Sequence, residues 1–325
     1  MNARTFVIAA GFALGTMIAG TAHAANPIKI AFPTWVGDGP FFLAQEKGYF
    51  KDQGVDVELQ IMEDSKFIFT ALAAGQVDGV VPTPNTLLLN VKPDSNVIMV
   101  MAVDDSRGAD GILAHKNISS LTDLKGKHVA FMEGSSPEFY LSYNLKRIGM
   151  SVDDVIKENM TAADAGAAFV ANRVDAAVTW EPWLTRGKAT EFGKVLIDTS
   201  ETPGIIIDTL AFRKQIIETR GDDIRKIIRA YNQAMDFYKS NPKEATEIMA
   251  RSTGGWLSDA AEFDGMLKTV KLFDGAENKT FVGTRDNPGQ MYKTVQAAID
   301  FWRANDKLVW PDVKPQDVID PSFLE

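Results

Sequence analysis

TALAAGQVDGVVPT (residues 70–83) and AAFVANRVDAAVTW (residues 167–180) are two versions of one pattern. Each reads as the end of an Ala-rich helix, a tight turn, a Val-Asp pair and a short apolar strand. A second match lies upstream, where IKIAF (28–32) and HVAFMEGSS (128–136) each lead into a proline and a helical stretch. Two β-α-β-α-β units of the same construction predict an α/β chain of two lobes with a cleft between them.

Equivalent loops follow the last strand of each copy. Open α/β sheets bind ligands beyond the carboxyl ends of their strands. The repeat therefore points to residues 82–85 and 179–182 as loops that face the cleft. The alternative is that both copies are ordinary joints between a helix and a strand. Two separate stretches that agree in the same order favour the repeat.

The first 24 residues have the pattern of a secretory signal peptide. Arg4 provides the charged start, residues 6–18 are apolar, and residues 22–24 (AHA) form a small-x-small cleavage site. The apolar run is too short and too rich in Gly for a good membrane anchor, and no other uninterrupted run approaches the ~18 residues of a membrane span. We therefore expect export to the periplasm, cleavage after about Ala24 and no membrane insertion.

Composition narrows the class of partner and argues against several activities. The formal net charge is −9 without clusters of Lys or Arg, which argues against nucleic acid as a partner. The chain has no Cys and therefore neither disulfides nor a lipid-attachment site. Beyond the signal, His115 and His128 are the only histidines, and no metal-binding or nucleophile motif is present. We expect a monomer with no catalytic residues, no metal and no cofactor.

The order of predicted elements divides the chain into two lobes. Residues 26–110 together with 209–325 are assigned to lobe one, and residues 111–208 to lobe two. The chain then crosses between the lobes twice, near 110–113 and near 206–210, and two crossing strands suit a hinge. The C-terminal return is helical, with helices predicted at 213–219, 222–240, 243–253, 258–272 and 288–305.

Four stretches together resemble one known family. They are GPFFLAQEKGYFKDQGVDVEL (39–59), ALAAGQVDG (71–79), SLTDLKGKHVAF (120–131) and VDAAVTWEPW (174–183). The chain resembles the periplasmic substrate-binding proteins of the nitrate/sulfonate/taurine-type ABC importers, over essentially its whole mature length. The resemblance implies a type II periplasmic-binding fold, capture of a small-molecule ligand between the lobes, delivery to a cognate ABC permease, and no catalysis.

The predicted strand ends carry mostly carboxylates and aromatic rings, with Arg107 and Lys66 as the nearby cations. Carboxylates accept hydrogen bonds from a guanidinium-like fork, and indole rings face flat or quaternary cations. We therefore predict a small, nitrogen-rich cation as ligand, such as guanidine, a guanidino or amidine compound, or a related amine. The predicted ligand-binding residues are Trp35, Asp38, Asp64, Thr83, Asn85, Asp104, Ser135, Trp180, Glu181 and Asp208.

Some of these residues have a second interpretation. Asp38 either faces the ligand or caps the helix that follows it. The helix start at Ser135 either binds an anionic group through backbone donors or is a plain cap. Asp104 and Asp105 are neighbours on a strand and therefore point to opposite sides.

Structural roles are predicted for residues outside this set. Asp78 and Asp175 occupy matched positions between turn and strand, which indicates a shared structural role. Ser65 is predicted to cap the helix that ends at Gly75. Trp183 suits either packing within a lobe or ligand contact.

Two alternative functions remain open. An alkanesulfonate, taurine or nitrate-type anion would have to be held by Arg107, Lys66 and the helix start at Ser135. A pyrimidine-precursor carrier or enzyme of the same fold is the second alternative. A single-turnover synthase would need a His- or Cys-rich motif, which the sequence lacks.

Overall fold

The computed structural model describes residues 26–93, 97–253 and 257–324. The predicted signal peptide lies outside these ranges. The chain forms an α/β structure with two separate sheets, one in each lobe, as the repeat predicts. The strands of the sheet in lobe one are β1 (Ile28–Phe32), β2 (Val57–Ile61), β3 (Gly79–Val80), β4 (Val97–Ser106), β10 (Ile207–Arg213) and β11 (Val270–Leu272). Those of lobe two are β5 (Asp110–His115), β6 (His128–Phe131), β7 (Ile156–Asn159), β8 (Ala176–Trp180) and β9 (Gly193–Asp198).

Helices cover both sheets. Those within lobe one are α1 (Gly39–Glu46), α2 (Tyr49–Asp52), α3 (Ser65–Ala73) and α4 (Pro84–Asn90). Those within lobe two are α5 (Ser136–Lys146), α6 (Ala162–Val170) and α7 (Trp183–Lys188). The C-terminal return contributes α8 (Lys214–Ser240), α9 (Pro242–Ser252), α10 (Ala260–Leu267), α11 (Gly275–Val282), α12 (Gln290–Arg303) and α13 (Pro315–Val318). No helix in the described ranges is long and apolar enough to cross a membrane.

The repeat is visible in the strand order. The sheet of lobe one runs β11-β4-β10-β3-β1-β2 and that of lobe two β7-β6-β8-β5-β9. In both, the first strand of the unit lies between the second and the third, all parallel. The third strand is then joined by an antiparallel strand that arrives from the other lobe, β10 on β3 and β5 on β8. In each sheet, the neighbour of the third strand is therefore the strand that directly follows a crossing.

The matched aspartates have the same role in both copies. Asp78 Oδ2 accepts the backbone N–H of Lys29 at 3.1 Å, and Asp175 Oδ2 accepts that of His128 at 2.9 Å. In each case the aspartate side chain fixes the turn before the third strand to the beginning of the first strand. The structural role predicted for both residues is confirmed.

The two crossings lie a few residues before their predicted positions. Residues 107–109 lead from β4 to β5, and residues 202–206 lead back to β10. Hydrogen bonds join the two segments to each other. Thr199 Oγ1 lies 2.7 Å from Ser106 Oγ and accepts the Gly108 N–H at 2.8 Å, while the Ser106 N–H donates to the carbonyl oxygen of Ile206 at 3.0 Å.

The C-terminal return departs from the prediction after α10. The helix predicted at 258–272 ends at Leu267, and β11 forms instead on the edge of β4. Pairing satisfies the backbone groups that this edge of β4 would otherwise expose. The two helices predicted at 213–219 and 222–240 are confirmed, since α8 consists of two helical segments separated by non-helical backbone at Arg220 (φ −135°, ψ 29°).

The return also contacts lobe two. Phe139 of α5 packs edge-on against Phe301 of α12 at 4.8 Å between ring centroids and lies 5.7 Å from the Trp302 ring. Lys307, beyond α12, forms an ion pair with Glu138 of α5. The lobes are thus in contact along α5 and α12 as well as at the two crossings.

Candidate functional site

A cavity lies between the two lobes at the carboxyl ends of the strands. Its volume is about 50 Å³, room for a few water molecules or a compact ligand. Both lobes supply its wall. Five of the predicted ligand-binding residues line it: Trp35, Asp38, Thr83, Trp180 and Asp208.

Asp38 reaches the cavity from the loop after β1. It stands at the position before α1, but its side chain makes no capping hydrogen bond. The side chain is buried, and Oδ1 has no hydrogen-bond partner among the described residues. Burial raises the pKa of this carboxyl group well above its ordinary value, and the charge of Asp104 adds to the shift. Of the two interpretations of Asp38, the side-chain cap is wrong.

Asp104 and Asp208 are register partners where β4 meets β10. Asp104 is fully buried, its Oδ2 accepts the Trp35 indole N–H at 2.8 Å, and its Oδ1 is unpartnered within the described ranges. Burial raises the pKa of Asp104 to about 8, although the bond from Trp35 opposes the shift. Burial also raises the pKa of Asp208, and the charge of Asp104 is the next cause. Two such carboxyl groups side by side favour a shared proton.

Gly37 allows the loop to pass directly over this group. A Cβ atom at this position would clash with Asp104 Oδ2 and with the Trp35 indole nitrogen. The hydrogen bond between Trp35 and Asp104 therefore requires glycine at position 37.

Asp105 points away from the cavity, as strand alternation predicts. Its Oδ1 accepts the Gly204 N–H at 2.8 Å, and its Oδ2 accepts from Arg107 Nε at 3.0 Å. Asp105 therefore stabilises the two crossings. The same contact places the Arg107 guanidinium on Asp105.

Asp110 is a cavity residue outside the predicted set. It begins β5 opposite Trp180 of β8, is buried, and lines the cavity with its Oδ2 unpartnered among the described residues. Burial raises the pKa of Asp110 to about 7; a hydrogen bond with Ser106 opposes the shift and the charge of Glu181 adds to it. Its place after the fourth strand, within residues 104–110 that are expected to border the cleft, is the sequence signal that points to it.

Trp35 of lobe one and Trp180 of lobe two meet beside the acidic group. Their rings lie edge to face, 6.4 Å apart at 80°. The Trp180 indole N–H donates to the carbonyl oxygen of Thr34 at 3.1 Å, which ties the lobes together at the cavity. Trp183 instead packs on Gly166 inside lobe two, so its packing interpretation is confirmed.

Asp64 and Ser65 exchange the roles predicted for them. Asp64 is the cap of α3, accepting the N–H groups of Lys66 at 2.7 Å and Phe67 at 3.4 Å. Ser65 is the first residue of the helix and lines the cavity. Because the helix begins one residue earlier than predicted, the cap moves from Ser65 to Asp64.

Asn85 and Glu181 are buried beside the cavity but are not part of its wall. Asn85 Nδ2 donates to the Ile205 carbonyl at 3.5 Å. Glu181 accepts the backbone N–H of Thr185 at 2.9 Å and its hydroxyl at 2.8 Å, at the start of α7. Burial raises the pKa of Glu181, against these bonds.

Ser135 precedes α5 but makes no side-chain cap, because its hydroxyl donates to the Met132 carbonyl at 2.6 Å. Its neighbour Ser136 lines the cavity. Lobe two thus offers the cavity one hydroxyl from this loop.

No Lys, Arg or His is part of the cavity wall in the described portion of the chain. Lys66 is exposed on α3. His115 packs against Phe169 and Phe192, and His128 pairs with Glu158 at 2.7 Å. Nor do the described residues contain a cluster of three or more side chains suited to a metal ion. The cavity therefore presents acidic and aromatic groups without a basic side chain.

Sequence comparison identifies the family. A family model described as NMT1/THI5 like matches residues 37–245, and the chain belongs to this family. It is 28% identical over 258 residues to a Brucella abortus protein named as a binding protein (77% of this chain, 79% of that one). It is 26% identical over 299 residues to a Bacillus subtilis protein named as an aliphatic sulfonates-binding protein (88% and 84%).

Structure comparison agrees with the predicted fold. The alkanesulfonate-binding protein of Xanthomonas axonopodis pv. citri, solved with bound MOPS, superposes with a TM-score of 0.73 at 19% identity, covering 91% of this chain and 100% of that one. The resemblance to periplasmic substrate-binding proteins and the two-lobed fold that it implies are confirmed. These relatives and this structural neighbour are binding proteins rather than enzymes.

Proposed function

We propose that this protein is the periplasmic substrate-binding component of an ABC importer and that it captures a small, nitrogen-rich cation. The observation that carries the proposal is the acidic group of Asp38, Asp104, Asp110 and Asp208 around a cavity without a basic side chain in its described wall. Burying carboxylates without a counter-charge is unfavourable. A bound cation would supply that charge.

Geometry favours a ligand with several N–H donors. Three buried carboxyl oxygens, on Asp38, Asp104 and Asp110, lack a partner among the described residues, and Asp38 and Asp110 line the cavity. A guanidinium or amidinium group offers donors in one plane, and an ammonium group offers three. The rings of Trp35 and Trp180 border the same space and would favour a cation near their faces.

An anionic ligand is the second candidate, supported by the sulfonate-binding names of relatives. The cations it would need are placed elsewhere, with Arg107 on Asp105 and Lys66 exposed. The raised pKa values of Asp104 and Asp110 nevertheless allow these carboxyl groups to be protonated and to bind an anion. A protonated Asp104 or Asp110 would donate a hydrogen bond to a sulfonate or nitrate oxygen.

The pyrimidine-precursor alternative receives less support. A carrier would use the same cavity. A synthase would be expected to place a histidine there, whereas His115 and His128 both have partners away from the cavity.

The remaining features of the proposal follow the sequence. We propose a signal peptide ending at about Ala24, lobes composed of residues 26–110 with 209–325 and of residues 111–208, and a monomer that delivers its ligand to a cognate permease. The strands support the lobe boundaries, since β5 begins at Asp110 and β10 at Ile207.

Calorimetric titration of the mature protein tests the proposal. The cations are guanidinium, acetamidinium and methylammonium, and the anions are ethanesulfonate, methanesulfonate and nitrate. The proposal expects micromolar or tighter binding within the cationic set and none within the anionic set. Binding confined to the anionic set would overturn the cation and leave the binding-protein class intact.

A further inference from the structure

The acidic end of the cavity lies at β4 and β10. Asp104, near the end of β4, lies beside Asp208 of β10, and Asp38 approaches them from the loop after β1. Asp38 and Asp208 line the cavity here, and Asp104 lies behind the wall, bonded to Trp35.

The opposite end, next to α3, is mainly apolar. Ile68 and Phe69 of α3 lie buried in its wall, together with Val81 just after β3. Thr83 and Thr86 also lie in the wall, but their hydroxyl groups pair with each other at 2.9 Å, and Thr83 Oγ1 accepts the Thr86 N–H at 3.2 Å. Polar atoms that are already paired leave a wall that offers a ligand mostly apolar contact.

Strand order sets the start of α3 apart from β4 and β10. α3 follows the edge strand β2, which β1 and β3 separate from β10, and it leads back to β3, which pairs with β10. Ser65, at the start of α3, adds one hydroxyl to this side. A ligand in contact with both ends therefore extends along the carboxyl edge of the sheet.

We infer that the ligand is an amphiphilic cation, with a nitrogen head held by the aspartates and a short apolar substituent against Ile68 and Phe69. This inference rests on the proposed function, because it requires a cationic head. A bare guanidinium ion would leave the apolar wall without a contact. Each methylene group buried there would strengthen binding, since transfer of apolar surface from water is favourable.

A ligand series on the unaltered mature protein tests the inference. Guanidinium is compared by calorimetry with methyl-, ethyl-, propyl- and butylguanidinium at constant pH and salt. We expect the association constant to rise about fourfold per added methylene until the chain fills the wall. A hydroxyl at the end of the propyl chain should remove most of the gain.

Two variants on one helix locate the apolar contact. Ile68→Asn should reduce the advantage of propylguanidinium over guanidinium from about 60-fold to a few-fold. Phe67→Asn is the matched control, because the adjacent Phe67 side chain is 67% exposed and outside the cavity wall. It should leave the ratio unchanged. Should Ile68→Asn not fold, the ligand series decides alone.

The possible outcomes distinguish failure of this inference from failure of the proposed cation-binding function. Tight binding of guanidinium with a flat or declining series overturns the amphiphilic ligand and leaves the cation-binding function standing. Failure of every cation to bind overturns both. An equal effect of the two variants overturns the assignment of the apolar contact to Ile68.

Discussion

The copy of the repeat in lobe one and the copy in lobe two share a backbone but carry different chemistry. Asp78 and Asp175 make the same hydrogen bond to the first strand of their units. The loops after the strands differ: lobe one contributes Trp35 and Asp38, whereas lobe two contributes Trp180 and the Ser136 hydroxyl. The repeated units therefore determine the shape of the cleft, and the loops after their strands determine its chemistry. The proposed recognition of charge then lies mainly in lobe one, with Asp110 added at the start of β5, and the aromatic cover over the ligand comes from lobe two.

The largest expected effect comes from a mutation in the acidic group of lobe one. Asp104→Asn should weaken cation binding by about 10- to 150-fold through loss of a charge-assisted hydrogen bond. The apo protein should stay folded, since a buried repulsion is relieved. Asp105→Asn is the matched control, because Asp105 bonds Gly204 and Arg107 at the crossings. It should lower the melting temperature with little change in affinity, and the reverse ranking would contradict the assignment.

A change of pH alters the charge of the same acidic group without a mutation. Asp104 has its pKa raised to about 8 and Asp110 to about 7, so the folded apo protein holds more protons than the unfolded chain between about pH 4 and 8. Its free energy of unfolding should therefore fall as the pH rises through this window. Cation affinity should fall about tenfold from pH 7 to pH 6 for each proton displaced.

Calorimetry in two buffers of different ionisation enthalpy measures the protons released on binding. A cationic ligand should release protons. An anion held by protonated carboxyl groups should show the opposite dependence, with affinity that rises as the pH falls. Uptake of protons would therefore favour the sulfonate or nitrate alternative.

The cover from lobe two should matter less. Trp180→Phe keeps an aromatic face but loses the indole N–H bond to Thr34, and should weaken binding about two- to tenfold. Trp180→Ala should weaken it further by removing the face. Intrinsic fluorescence and calorimetry measure both. A loss on Trp180→Phe as large as that of Asp104→Asn would contradict the division of roles between the lobes.

The smallest effects concern the shared scaffold. Asp78 also binds Arg213 at 2.8 Å, an ion pair without a counterpart at Asp175 within the residues described. Asp78→Asn should therefore lower the free energy of unfolding by about 1.5–3 kcal/mol, and Asp175→Asn by about 0.5–1.5 kcal/mol. Denaturant titration compares them. Ligand affinity should be unchanged in both, and a change in either would show that the repeat does more than shape the cleft.

The sequence predicted the fold well where its signals are local. A helix, turn and strand repeated in order are enough to specify the parallel units, because each element lies near its partners along the chain. β11 and the contact of Phe139 with α12 could not be predicted, since they join residues far apart in sequence. A three-residue strand has almost no periodicity to detect.

The site was predictable to the level of loops but not of single side chains. Asp64 and Ser65 show why: a helix start displaced by one residue exchanges which side chain caps and which faces the cavity. Asp110 shows a second limit, because its position depends on where β5 begins opposite β8. The alternation of Asp104 and Asp105 was predictable, since a strand fixes it.

The contact between Glu138 and Lys307 has a consequence for the residence time of a ligand. Glu138 also accepts the N–H of Gly134 at 2.9 Å, in the loop that leads to Ser136 in the cavity wall. This ion pair and the Trp180 bond to Thr34 must both break before the lobes part. Neither contact needs to form before a ligand first reaches lobe one. We therefore predict that these contacts slow the dissociation of a ligand without changing its association rate.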